Sequence, residues 1–422
     1  MKILNRKVHP KIRFESEVVN DYPSWGKQPL GKIILKMSSG LSRQLKTENV
    51  GLAVIRSNNM ADKYTTNKDI KYWYEDDPQG ANTSNYILEE GDILVNFINS
   101  LSQIGKTSLF RKLPNTNAIY TTNILRLKLN PSQVNELFFF YFTKTVTFET
   151  YIRAITKPAV NQASFTTKEF VQLEVPLPCL QEQQKIADFL TSVDTKTSQL
   201  TEKYRLLKDY KKGVIQQIFN QQIRFKDDDG NAFPDWEDKL LGDIATFTKG
   251  KGISKADISI DGMTPCIRYG ELYTTYGEVI ESVVSATNLP IKSLLFSEVN
   301  DVIVPSSGET QWDIATAACV KLSDVAYSGD LTVIRSPLNG VFLSYYFNSA
   351  KKREIASLSQ GSSVIHLYST HLKSLKIEVP CEAEQQKIAQ FLQSLDKKID
   401  AVNEQIEQTK LFKKGLLQQM FV

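Results

Sequence analysis

The sequence predicts an α+β (mixed α/β) fold used twice along the chain, each copy followed by a long coiled-coil helix, as a pseudo-two-fold internal repeat. Two observations predict it. The first is a duplicated segment: Glu182-Gln183-Gln184-Lys185-Ile186-Ala187 recurs letter for letter as Glu384-Gln385-Gln386-Lys387-Ile388-Ala389, 202 residues on. Pro178-Cys179 matches Pro380-Cys381, Asp194 matches Asp396, and Lys211-Lys212-Gly213 matches Lys413-Lys414-Gly415. An ungapped match over about 45 residues is one structural module used twice, not a solenoid of short units. The second observation is a heptad pattern behind each copy of the hexapeptide.

At the front of each half a second alignment holds at an offset of 211: Arg13-Phe14 with Arg224-Phe225, Pro23-Ser24-Trp25 with Pro234-Asp235-Trp236, and Leu30-Gly31-Lys32-Ile33 with Leu241-Gly242-Asp243-Ile244. Each half is therefore a fixed lead-in, a divergent middle and a fixed exit. In the first middle, residues 32–37, 53–55, 92–97 and 124–129 are apolar and β-branched between turn residues, which predicts strands. A helix is expected from about 133 to 155, its aromatic face (Leu137, Phe138, Phe140, Tyr141, Phe148) suited to burial, and a strand over 171–176 closes the domain. The second middle repeats the order, with strands at 302–305 and 332–336, a helix at 341–357 and a closing strand at 375–379.

The exits are different in kind. Ile186, Leu190, Val193, Leu200, Tyr204 and Leu207 in the first copy, and Ile388, Leu392, Leu395, Ile399, Val402 and Ile406 in the second, fall on a seam of alternating four and three spacing, which is a coiled-coil seam. Neither stretch contains proline, and about 34 residues make a helix of roughly 50 Å. A lone striped helix needs a partner, and the other copy in the same chain is the nearest one. Pairing about a two-fold axis makes the two helices antiparallel. The lead-in at the N-terminus would then pack where the chain runs on after the first exit, giving a pseudo-circular chain. The boundaries expected are a first domain over 1–178, a first spacer helix over 179–222, a second domain over 223–380 and a second spacer helix over 381–422. The link from Phe219 to Trp236, with its run Lys226-Asp227-Asp228-Asp229-Gly230, reads as a solvated turn.

With 422 residues, two or three domains are expected. The 41% hydrophobic and 23% charged content suits a soluble globular protein. No apolar run is long enough to cross a membrane, and Met1-Lys2-Ile3-Leu4-Asn5-Arg6 lacks the apolar core of a signal peptide. The four cysteines have no paired spacing, and two occupy one repeat position. Reduced packing thiols in a cytoplasmic protein are expected. A net charge of +4 permits a nucleic-acid partner without arguing for one.

No catalytic centre is legible. Gly105-Lys106-Thr107 lacks the glycine five positions earlier that a phosphate loop requires, Ser100 standing there; a sheet turn is expected. Pro234-Asp235-Trp236-Glu237-Asp238-Lys239 aligns with a segment lacking its carboxylates, so it reads as structural. His9, His366 and His371 have no Cys, Asp or Glu at ligand spacing, and no metal site is expected. No nucleophile elbow occurs.

What remains is recognition. Loops at matching places in the two middles carry Arg56, Asn58 and Asn59 against Arg268 and Tyr269; Lys249 and Lys251 where Ser38-Ser39-Gly40 stands in the first half; Asn96, Asn99 and Gln103 against Ser306, Ser307 and Gln311; and Lys157, Asn161 and Gln162 against Ser362, Ser363 and His366. Arginine and amide side chains can pair with base edges, and lysine and serine can hold phosphates. Ordinary loops carry such residues too. The set gains weight because the halves share a scaffold and differ in their loops, as two readers of different sequences would.

The motif Pro-Cys-x-x-Glu-Gln-Gln-Lys-Ile-Ala-x-Phe-Leu, used twice before long heptad helices, resembles the specificity subunit of type I restriction–modification systems. The resemblance extends to the Leu-Gly-x-Ile lead-ins, Gly91-Asp92-Ile93-Leu94 and Tyr327-Ser328-Gly329-Asp330-Leu331, and covers nearly the whole chain. It implies two globular target recognition domains separated by the two long antiparallel helices, each domain reading one half of a bipartite double-stranded DNA target. It implies helices that set the spacing and dock two methyltransferase subunits, with two motor-endonuclease subunits joining. It implies a non-catalytic chain without a cofactor of its own, S-adenosylmethionine, ATP and magnesium belonging to the partners. A stand-alone site-specific DNA-binding protein with a coiled-coil scaffold is the second reading, and an autonomous DNA methyltransferase or nuclease a distant third. The hexapeptide's glutamine and lysine side chains are expected at the helix start, as partner-docking groups. Inserting four residues near Thr195 or Asp209 should lengthen the unread gap of the target and leave both half-site motifs unchanged; methylome sequencing that found the original gap would reject the helices as a ruler.

Overall fold

The computed structural model describes residues 10–14, 22–160, 162–361 and 364–421. The chain forms two compact units. The first comprises residues 1–201 and 405–422, the second residues 202–404. Each unit therefore takes one half of each long helix.

Both long helices form, and both exceed expectation. They run Leu180–Phe219 (40 residues) and Glu382–Met420 (39 residues), about 60 Å each at 1.5 Å per residue. They exceed the seam because the hexapeptide is itself helical. In the first unit Ile186, Leu190 and Val193 share a core with Leu416, Met420 and Phe421. In the second, Val214, Ile218 and Phe219 share one with Ile388, Leu392 and Leu395. The opening turns of one helix thus lie with the closing turns of the other, which is antiparallel pairing. Along the seam, Leu200, Ile399, Val402 and Ile406 are also buried, while Tyr204 and Leu207 are half-buried.

The chain is pseudo-circular, as the repeat implied. Where the first helix runs on into the link, the amide of Ile223 donates to the carbonyl of Gln217. At the matching place in the first unit the chain is not continuous, yet the amide of Ile12 donates to the carbonyl of Gln419 at 3.1 Å. The neighbouring residues reproduce the match: Phe14 meets Phe189 edge-on at 5.6 Å, and Phe225 meets Phe391 at the same distance.

Each unit's globular part is built on two sheets. In the first, strands Ile34–Ser39, Ile124–Leu129, Ile93–Asn96 and Thr107–Leu109 form an antiparallel sheet, and Lys71–Tyr74, Gly51–Ile55 and Ala118–Tyr120 a second, the last pair parallel with Ala53 opposite Ala118. In the second unit Thr246–Lys249, Leu331–Arg335, Asp301–Pro305, Ala318–Val320 and Val279–Ile280 form the larger sheet, and Ser285–Thr287, Thr264–Ile267 and Ala326–Tyr327 the smaller, again with one parallel pair. The lead-in and closing strands pair antiparallel in both units, Gly26–Pro29 with Glu174–Leu177 and Glu237–Leu240 with Lys376–Val379. The carboxylate-rich segment after Pro234 is therefore a structural strand.

The helix expected over 133–155 is two helices, Glu136–Phe142 and Val146–Ile155. The break lies at the hydroxyl residues. Thr143 and Thr145 turn back to the carbonyls of Phe140 and Phe142, and Thr145 accepts the amide of Phe148 as a cap, the alternative bonding by which threonine competes with a continuing helix. The second-half helix breaks likewise, into Gly340–Asn348 and Lys352–Leu358. Short helices Thr167–Phe170 and Ser369–Lys373 precede the closing strands.

The hexapeptide holds the globular part to the long helix. Glu182, fully buried, takes Nε and Nη2 of Arg13 at 2.9 and 2.8 Å; Glu384 takes those of Arg224 at 3.1 and 2.7 Å, with Trp236 Nε1 at 3.1 Å. Gln183 accepts the amide of Asn135 and donates to the carbonyls of Gln133 and Pro178. Gln385 accepts the amide of Asn339 and donates to the carbonyl of Pro380. Gln184 and Gln386 take the side-chain amides of the same two asparagines at 2.8 Å, and those asparagines cap the helices Glu136–Phe142 and Gly340–Asn348. The expectation that these side chains dock a partner is thus corrected: they are bonded within their own unit. So is Lys387, which binds Asp228 at 2.7 Å and the carbonyl of Lys226, so the acidic run between the halves is a bonded turn rather than a merely solvated one. Breaking a buried ion pair strands a charge at a cost of about 3–5 kcal/mol. Arg224→Met should accordingly destabilise the chain by about 3 kcal/mol in chemical denaturation; a loss below about 1 kcal/mol, the scale of a surface pair, would mean that Glu384 is satisfied without it.

Candidate nucleic-acid interface

Two of the loop sets singled out in the sequence meet in space in each unit, through short strand pairings. In the first, Ala163 lies opposite Asn99 and Ser164 opposite Ile98, with Lys157–Pro158 on the outer side. In the second, Ser307 lies opposite His366 and Gly308 opposite Ile365. Asn161, Ser362 and Ser363 lie outside the described residues.

A second pairing joins the remaining loops. In the second unit Lys249, Ser254, Lys255, Arg268, Tyr269 and Asp330 line a cleft of about 650 Å³. Its wall depends on Gly250, where a Cβ would stand 2.0 Å from the carbonyl oxygen of Ser328. Gly40 in the first unit is in the same position, with the carbonyl oxygen of Tyr120 at 1.9 Å. Only a bare backbone fits against either strand end. Arg268 is anchored by Glu271, which accepts its Nε and its backbone amide at 3.0 Å. The amide of Tyr269 donates to Ser328 Oγ, and that of Ser306 to the carbonyl of Asp330, linking this cleft to the strand pairing. Lys249 and Lys251 are exposed, Lys249 with Asp330 at 3.8 Å. Gln311 and His366 are exposed, and His366 stacks on Tyr368, itself half open to solvent.

Some of the predicted readers are structural. Asn59 is fully buried, accepts the amide of Arg56 and donates to the carbonyl of Lys68. Asn96 is buried and accepts from Ser57 Oγ at 2.7 Å, a hydroxyl that also takes an N–H of Asn123. Ser307 is buried in its strand pair, and Ser306 bonds Thr332 Oγ1. These residues hold the loops and do not face a ligand. The signal read as recognition, amides and hydroxyls after strands, is equally the signal of loops that bond themselves. Asn58, Gln162 and Lys157 are exposed, the last near Glu169 at 3.4 Å. Arg56, Asn99 and Gln103 are half-buried; Arg56 Nη2 donates to the carbonyl of Asp69, and Asn99 Oδ1 accepts the amide of Ser100. Ser254, Lys255 and Asp330 were missed. Asp330 lay in the Tyr327–Leu331 run, read only as family likeness.

Burial pushes the Cys266 thiol up to about 11 and the Cys319 thiol up to about 12, so both are neutral packing groups at physiological pH. Gly105 has φ of +77° in a turn, and Thr107 is buried in a strand bonded to Thr143, so this segment is a sheet turn. Among the described residues no three metal-ligating side chains converge, and no helix is long and apolar enough to cross a membrane.

Two units with one scaffold and differing loops, on antiparallel helices, define a class of paired recognition modules. The model of the type I restriction modification DNA specificity domain matches the chain twice, over residues 33–207 and 234–410; the chain belongs to that family. Among its relatives is a Methanocaldococcus jannaschii protein assigned as the MjaX type I restriction enzyme specificity subunit, 25% identical over 96% of this chain and 94% of that one. The MjaVIII specificity subunit of the same organism is 24% identical over 78% of each. The solved S subunit of the type I system of M. genitalium shares the fold with a TM-score of 0.57, at 14% identity over 98% of this chain and 99% of that one.

Gly250→Ala should push the Lys249–Gly252 loop off the strand end and reduce reading of one half-site at least ~10-fold, the scale of one lost base pairing. Gly213→Ala, whose Cβ would meet nothing within 4 Å, should leave reading unchanged. Selection of bound sites from a random DNA library measures both, and equal behaviour of the two variants would remove this cleft from the interface.

Proposed function

We propose that each globular domain reads one short half of a bipartite DNA target, and that the antiparallel helices hold the two readers at a fixed separation. The observation that carries this reading is the contrast inside the repeat: hexapeptide, lead-in and seam are kept between copies, while the loop clusters differ. Two matched mounts with unlike faces suit two unlike half-sites. Two methyltransferase subunits dock on the chain, one for each copy of the repeated module, and two motor-endonuclease subunits complete the restriction complex in the cytoplasm. The chain supplies specificity and no catalytic group; S-adenosylmethionine, ATP and magnesium act on the partner subunits. The domains correspond to residues 1–178 and 223–380, and the spacers to 179–222 and 381–422. We assign the DNA contacts to exposed Lys249, Lys251, Gln311 and His366 in the second domain, and Asn58, Lys157 and Gln162 in the first. Lysines hold phosphates, and amides pair with base edges.

Co-expression with the methyltransferase gene of the same system tests the reading. The expected result is a complex of one chain with two methyltransferase subunits, and a methylome with two short motifs at one fixed gap. Full-affinity, site-specific binding by the chain alone, with no methyltransferase retained, would favour the stand-alone alternative.

A further inference from the structure

The repeated module carries one more matched constellation, and it sits on the helix seam. In the first unit Asp194 takes Lys413 Nζ on Oδ1 at 2.5 Å and the hydroxyl of Tyr141 on Oδ2 at 2.7 Å. In the second, Asp396 takes Lys211 Nζ on Oδ1 at 2.6 Å, and the hydroxyl of Tyr345 donates to its Oδ2. The lysines also lie over the tyrosine rings, at 5.5 and 5.1 Å. Each triad joins three elements: one long helix through its aspartate, the other through its lysine, and the domain's own aromatic helix through its tyrosine. That aromatic helix is already tied at its cap asparagine to the hexapeptide, so it is mounted at both ends. One further charge faces each triad, Lys63 at 3.6 Å from Asp194 and Glu278 at 3.2 Å from Lys211.

We propose that the Asp194–Lys413 and Asp396–Lys211 pairs set the direction and register of the helix pair, and thereby the length of the unread gap between the half-sites. Aspartate and lysine stand the same seventeen residues apart on both helices, so one antiparallel register closes both pairs. Parallel pairing of the matched copies would set aspartate against aspartate and lysine against lysine. A slip of one heptad would bring Asp194 opposite Ile406 or Met420, and Asp396 opposite Tyr204 or Ile218, leaving a half-buried carboxylate without its cation. The apolar seam alone tolerates such a slip, because leucine, isoleucine and valine recur every heptad; a polar pair at one position is what specifies register. A heptad slip moves one helix past the other by about 10 Å, close to three base pairs at about 3.4 Å each.

This inference rests on the proposed two-part reading, and the experiment separates the two. Lys413→Glu is introduced alone and with Asp194→Lys, in the full chain with its methyltransferase subunits. The swap keeps the net charge of the cluster, and Lys63 can follow the carboxylate. The single variant is expected to cut methylation at the normal gap at least ~10-fold, or to move it to sites whose gap differs by about three base pairs; the double variant should restore the normal gap and level. An unchanged methylome in the single variant, or no recovery in the double, overturns the proposal. Register is also read without DNA, by a disulfide between Thr197→Cys and Thr409→Cys, half-buried residues that lie one step inward from Asp194 and Lys413 on the two helices. That cross-link should fall with Lys413→Glu and return in the double variant, and indifference to either change overturns the proposal. A parent complex with no two-part target would instead overturn the proposed function.

Discussion

A helix of some 40 residues with one apolar stripe cannot remain exposed in water, because the stripe must be covered. The rest of this chain is arranged around that requirement. The duplicated helix covers its own copy, and covering it antiparallel puts the start of one helix beside the end of the other in each unit. Each globular domain then gathers the beginning of its own helix and the end of the other into its core. Phe421 meets Trp25 and Phe138, and Phe219 meets Phe342 and Tyr346, in the same edge-on or tilted aromatic arrangement. No domain is complete with one helix alone.

The polar groups buried at this junction are held to a strict standard. Glu182, Gln183, Glu384 and Gln385 are almost without solvent contact, yet each has its partners. A buried polar group without partners is costly, and one that is fully bonded fixes a single arrangement. This explains why a hexapeptide with no chemistry is retained identically in both copies. Each of its glutamates and glutamines is bonded to the domain it supports. Variation is left to the loops, which sit on rigid strands and can change without disturbing the mount.

The loops show how ambiguous polar sequence is. Asn59 and Asn96 looked like readers and are internal ties, because an amide that caps its own turn has the same sequence signature as one that meets a base. Lys249, Lys251 and His366 have the same signature and are exposed. The two helix breaks were illegible for a related reason. Thr143 and Thr145 sit in a strongly aromatic run whose periodicity favours one helix, and only their bonds back to Phe140 and Phe142 show that it ends there.

By itself the sequence determined the duplication, the two long helices, their seam and the order of strands, because repeats and periodicity are properties of the chain that need no neighbours. The antiparallel pairing and the joining of the N-terminal lead-in to the end of the last helix followed from symmetry. Only the tertiary structure decided which polar residues are committed. It turned the hexapeptide from a docking surface into an internal clamp, brought Ser307 beside His366 and Asn99 beside Ala163, and placed Asp194 on Lys413 and Asp396 on Lys211. Those partners lie tens to hundreds of residues away, and no local pattern specifies a hydrogen bond across that distance.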